Sequence, residues 1–234
     1  MAKSNQFVFT KKTALMQRLA DLVRGGHVRY VCGTIQLEKA AQLATKFDRL
    51  YQPNLPRLQA HRRRAQGEAT ARLLWWQDAS KPEQLTWFLL LTDGELTVDG
   101  LESWRDPLNT KTRIHLTGYE LVRLTKPTEP KPVWTWRYDK QRLQDLRDQL
   151  VTVIRLKHDH EVERLIAMLW ASPGFAGIRE QVKGCGELIR AEWKRSRGSS
   201  DNMPVIPTRL GYVQRLADKG VMLNQLEKLR SKNV

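Results

Sequence analysis

Disulfide chemistry has no foothold in this chain. Its two cysteines, Cys32 and Cys185, lie far apart and form no C-x-x-C pair. A reducing compartment, the cytoplasm, is therefore the expected location. Long apolar runs are missing as well. A run such as residues 87–91 is strand-sized, and none approaches the roughly 18 residues that cross a bilayer. The first ten residues lack the apolar stretch and small-residue cleavage site of a secretion signal, so a soluble protein without a membrane span is expected. Signatures of common chemistry are absent too: no G-x-x-x-x-G-K-[ST] loop, G-x-G-x-x-G fingerprint, G-x-S-x-G elbow or H-E-x-x-H pair occurs. Neither an internal repeat nor a low-complexity tract is present.

Acidic residues are the scarce charge. Forty Lys and Arg stand against 25 Asp and Glu, a net charge of +15 over 234 residues. The excess is spread along the chain, with its largest share in residues 1–50 and a balance in 51–100. Such a field favours encounter with nucleic acid or with an acidic protein surface.

The apolar spacing predicts a helix over 10–23, with Thr10 as its cap and Gly25-Gly26 as its stop. A strand over 27–35 and a helix over 36–51 follow. From 70 to 138 the period becomes two. Strands are expected at 71–77, 85–92, 113–116, 119–125 and 133–138, with Asp93-Gly94 and Asp99-Gly100 as turns. The prolines at 127, 130 and 132 predict a loop over 126–132. After Asp139, a good N-cap, the period returns to 3.6, with helices near 140–157, 161–171 and 178–195. Residues 197–207 read as a linker. Two short helices over 208–217 and 221–230 have the outline of a helix-turn-helix. The expected fold class is α+β: a small, mainly antiparallel sheet with flanking helices, followed by a helical C-terminal region. Its domains are an α+β domain over 1–138, a helical region over 139–196 packed on it, the linker, and a helical pair over 208–234.

Few residues carry chemistry. His158-x-His160 with Glu161 or Glu163 has the makings of a metal site. Imidazoles two apart on a helix, however, point about 200° apart and reach one ion only where the backbone is irregular, and no third ligand cluster stands nearby. Asp93, Glu95, Asp99, Glu102 and Asp106 form the one carboxylate-rich stretch and keep a divergent nuclease open. Asp93 and Asp99 fall in Asp-Gly turns, where aspartate serves backbone geometry. No catalytic residue, metal site or cofactor is expected. The basic clusters say more. Arg57, His61, Arg62, Arg63 and Arg64 follow a proline-bounded turn. On a helix, Arg57, His61 and Arg64 share one face, which can track a phosphate backbone. Lys194, Arg195 and Arg197 end another basic helix, where the macrodipole alone also favours cations.

Six of the eight tryptophans fall between residues 75 and 136. Trp75 and Trp76 point to opposite faces of a strand, so one of them is expected to leave the core. Trp134, Trp136 and Tyr138 share one sheet face. Trp75, Trp134 and Trp136 are candidates for stacking unpaired bases, against the plainer reading of aromatic core.

The opening Phe7-Val8-Phe9-Thr10-Lys11-Lys12, the Arg- and Trp-rich middle, and residues 197–207 before a short basic tail resemble the accessory proteins of conjugative plasmids, in particular the fertility-inhibition proteins. That resemblance implies a partner within a competing conjugation machinery, such as its coupling protein. Two readings follow. The first is a non-catalytic nucleic-acid-binding protein of a plasmid or other mobile element. The second is a fertility-inhibition factor that blocks transfer by protein contacts.

Overall fold

Leu15, Met16, Leu19, Ala20 and Val23 lie on one helical face, and burying that face is what holds α1 (Lys12–Arg24) in place. Gly26, at φ +96°, reverses the chain into β2 (His27–Gln36). The computed structural model describes residues 6–96, 101–126, 129–198 and 201–231. The chain divides into two compact units, one of 1–113 with 215–234 and one of 114–214. The division is thus not at 138/139: the second unit is an insertion that takes the last strands of the β-rich stretch along with the helices.

The first unit is built on a five-stranded sheet in the order β2-β4-β3-β1-β8, comprising β1 (Phe7–Phe9), β2, β3 (Ala71–Gln77), β4 (Gln84–Thr92) and β8 (Gly220–Met222). β3 and β4 form an antiparallel hairpin, and β2 pairs antiparallel on the far side of β4. β1 runs parallel to β3, pairing Val8 with Trp75, while β8 runs antiparallel to β1. The sheet is therefore mixed at one junction and antiparallel elsewhere. Ala71, Leu73 and Trp75 alternate onto one face and join Val8, Val31 and Leu89 there. That face packs against α2 (Leu37–Tyr51), through Ala40, Ala44 and Phe47, and against α7 (Leu223–Ser231), through Leu223 and Leu226. Leu74 and Trp76 alternate to the opposite face. α3 (Arg57–Ala65) follows α2 after a proline-containing loop.

The second unit holds a separate three-stranded antiparallel sheet, β5 (His115–Leu116), β6 (Tyr119–Lys126) and β7 (Glu129–Tyr138), with α4 (Lys140–Arg155), α5 (Asp159–Trp170) and α6 (Ala176–Ser196). Asp139 caps α4 as expected, its carboxylate accepting the Arg142 N–H at 2.8 Å. Among the described residues of 140–196 there is no strand.

Three expectations are corrected. Thr10 does not cap α1; its N–H donates to the Lys219 carbonyl at 3.1 Å and ties β1 to the chain end. The predicted loop over 126–132 is largely strand, because β7 is an edge, where Pro130 and Pro132 remove no needed ladder donor; residues 127 and 128 lie outside the described ones. Residues 208–217 form no helix, so the predicted helix-turn-helix does not form there. The Val213 N–H instead donates to the Gly174 carbonyl at 3.0 Å. Within the predicted linker, the Asp201 carbonyl accepts from the Trp193 indole; residues 199 and 200 lie outside the described ones.

Candidate functional site

Pro56 precedes α3, and its carbonyl accepts the Ala60 N–H at 2.9 Å, closing the first turn. Of the nine helical residues only Ala60 is buried. So little apolar burial does not hold a helix this short; polar anchors do. The Arg72 guanidinium, rising from β3, donates to the Pro53 and Leu55 carbonyls at 2.8 and 3.0 Å and clamps the loop that leads into α3. Arg63 donates to Gln52 Oε1 at 2.7 Å, and Arg64 to Thr70 Oγ1 at 3.3 Å. The helix is fixed from beneath, and its outer face is left to solvent.

That outer face carries Arg57, Leu58, His61 and Arg62, with Arg64 exposed at its end. Arg57, His61 and Arg62 have no side-chain partner among the described residues, and the helix contains no carboxylate. Arg62, Arg63 and Arg64 occupy the last turn, where the macrodipole welcomes cations. Arg57 does not share that explanation. It opens the helix, at the dipole's positive end, with no acid in the first turn.

Beneath α3, the end of the sheet holds a buried polar cluster. His27 pairs across to Thr92 on β4. Thr92 Oγ1 accepts the Thr70 N–H at 2.8 Å, and the two threonine hydroxyls lie 3.2 Å apart. The His27 Nδ1–H donates to the Leu22 carbonyl at 2.9 Å. Burial is the main cause that brings the His27 pKa from 6.5 down to about 4; the Leu22 carbonyl opposes this, and the charges of Arg72 and Arg64 add to it. Burial also lowers the Arg72 pKa, and Arg64 lowers it further. Arg64 and Arg72 thus repel each other with no carboxylate bonded to either among the described residues. The positive potential there is uncompensated, and an approaching anion would relieve it.

The other predicted residues fare differently. Lys194 and Arg195 are exposed at the end of α6, in the second unit, and Arg195 pairs with the buried Glu192 at 2.9 Å. Arg197 is corrected from a binding residue to a structural one. Its side chain is 2% exposed, stacks on Trp193 with 4.2 Å to the ring centre, and pairs with Asp159 and with Asp201. Trp75 and Trp136 are 0% exposed and cannot stack on bases. Trp76 does not leave the core either, because both faces of the sheet are covered. Trp134 is half-buried on β7.

The mid-chain carboxylates do not converge. Asp93 caps the Gly94 N–H, Asp106 the Leu108 N–H, and Glu102 pairs with Lys46 at 2.9 Å; Asp99 lies outside the described residues. Sequence reasoning missed Arg72, Thr70, Thr92 and His27. The available signal was Arg72 itself, a lone cation in an otherwise apolar strand.

No protein family, characterised protein or solved structure matches the chain.

Proposed function

We propose that the first unit binds nucleic acid through its phosphate backbone, without catalysis, with α3 as the contact helix. What carries the reading is a helix held rigidly by Arg72, Arg63 and Arg64 that presents Arg57, His61 and Arg62 to solvent without a single carboxylate. Rigid presentation lowers the ordering cost of each contact. Contacts of this kind position a protein on a strand and carry no base specificity of their own. The test is binding of single- and double-stranded DNA and RNA across a salt series, comparing wild type with Arg57→Ala/Arg62→Ala. The double variant should lower affinity and flatten the salt slope by about two units, one per lost phosphate contact.

A second reading is favoured by one residue. Leu58 is 61% exposed on the same helix, where a phosphate backbone offers it nothing and an apolar pocket in an acidic protein groove would bury it. This is the form that the fertility-inhibition reading takes, with a component of a conjugation machinery as the partner. Leu58→Ser separates the two: it should leave nucleic-acid affinity unchanged and weaken a protein groove contact.

A further inference from the structure

The second unit contains a cavity of about 90 Å³ between α6, the end of α5 and the extended 208–210 segment, lined by Trp170, Arg179, Val182, Lys183, Thr208, Arg209 and Leu210. That volume is well under the roughly 300–1,000 Å³ of pockets that enclose drug-sized ligands. Three of its lining side chains are cations and none is a carboxylate. Arg179 is immobilised: its guanidinium stacks on Tyr212 with 3.5 Å to the ring centre, and its Nε donates to the Leu210 carbonyl at 3.0 Å. Its two terminal nitrogens have no partner among the described residues, so a planar donor fork stands ready for a pair of oxygens. Arg209 has no side-chain partner among the described residues. Lys183 has only Glu187, at 3.8 Å between two well-exposed side chains, a pair of little strength. The Trp170 indole Nε1 is buried without a hydrogen-bond partner. A buried donor of that kind is costly unless something accepts from it.

We infer that this cavity is a binding site for a phosphate group, taken as a compact dianion. The three cations match a doubly charged tetrahedral group better than a monovalent carboxylate. The lining supplies a guanidinium fork, an ammonium and a second guanidinium as donors, with the buried Trp170 indole beside them. A nucleoside does not fit the space. The phosphate is either free in solution or the terminal group of a nucleic-acid strand. The inference does not rest on the role of α3, which belongs to the other unit.

The experiment is calorimetric titration of the full chain with inorganic phosphate, with a 5′-phosphorylated trinucleotide and with its 5′-hydroxyl form, at constant ionic strength set by chloride. The wild type, Lys183→Gln/Arg209→Gln and Arg57→Ala/Arg62→Ala are compared. Both cavity substitutions fall on exposed side chains, so folding should be retained. The indole resonance of Trp170, assigned by Trp170→Phe, is followed in parallel. The expected result is saturable phosphate binding, weakened about tenfold or more in the cavity variant, unchanged in the α3 variant, and accompanied by a shift of the Trp170 resonance. Preference for the 5′-phosphorylated trinucleotide over its 5′-hydroxyl form, retained in the α3 variant, assigns the ligand to strand ends; phosphate binding without such a preference assigns it to free phosphate. Retained binding in the cavity variant, an unmoved Trp170 resonance, or no binding beyond chloride overturns the site. Loss of inorganic-phosphate binding in the α3 variant alone does so too.

Discussion

His27 shows how one residue reports on the candidate site. A buried imidazole with a pKa near 4 is neutral at pH 7, whereas in the unfolded chain it titrates near 6.5. The unfolded state therefore binds the proton more readily. Stability is fully present above about pH 6.5 and falls as the pH drops through the window down to about 4, by up to roughly 3 kcal/mol from this group. The charges of Arg72 and Arg64 face the ring and oppose its protonation. Denaturant unfolding at a series of pH values should show this slope in the wild type and lose it in His27→Gln. A slope that survives the substitution would assign the acid sensitivity elsewhere. The same ring is a reporter on ligand. A polyanion on α3 would offset the charges of Arg64 and Arg72 and raise the His27 pKa.

Among the elements, α3 and the 208–214 segment mark the limits of what the sequence made readable. The helical reading of 57–64 is realised as α3, because the periodicity of a short exposed helix is a local property; Arg64, expected on the face of Arg57 and His61, instead reaches Thr70. β3 matches its prediction to the residue, because alternation along Ala71–Gln77 is local too. β1 and β8 went unread: at three residues each, they have no period to detect, and they exist because each pairs with the other and β1 also with β3. The clamp by Arg72 was equally hidden, since it joins residues 17 and 19 positions apart through backbone carbonyls. Residues 208–217 read as a helix, yet the chain there is irregular, held by Gly174 and Arg179 in a contact no local pattern encodes. That contact is tight. A Cβ on Gly174 would sit 1.8 Å from the Gly211 carbonyl oxygen, so Gly174→Ala must push the segment away. The expected cost is at least about 1–3 kcal/mol, read as a lower thermal midpoint together with faster hydrogen exchange at Val213. An unchanged midpoint and unchanged exchange would contradict the packing described.

At the scale of the whole molecule, the first unit is assembled from both ends of the chain. β8 supplies the ladder partner of β1, and α7 supplies Leu223 and Leu226 to the core. Ending the chain after Gln214 would leave β1 as a bare edge and open the apolar face over which α7 packs. Such a truncation should lose the cooperative unfolding transition of the first unit, and a truncated chain with wild-type stability would contradict the assignment. Charge is the other property of this scale. A net +15 produces weak, sequence-independent attraction to any nucleic acid, so weak binding alone decides nothing. The α3 account requires more: localised contact. The most direct measurement is the dissociation constant for DNA and RNA, single- and double-stranded, from 50 to 200 mM salt, for wild type and for Arg57→Ala/Arg62→Ala. The account predicts that one nucleic-acid form binds below about 10⁻⁷ M at physiological salt, tighter than the usual non-specific range of about 10⁻⁴ to 10⁻⁶ M. It also predicts that the double variant flattens the salt slope by about two units. Binding no tighter than the non-specific range for every form, or a slope untouched by the two substitutions, would contradict it.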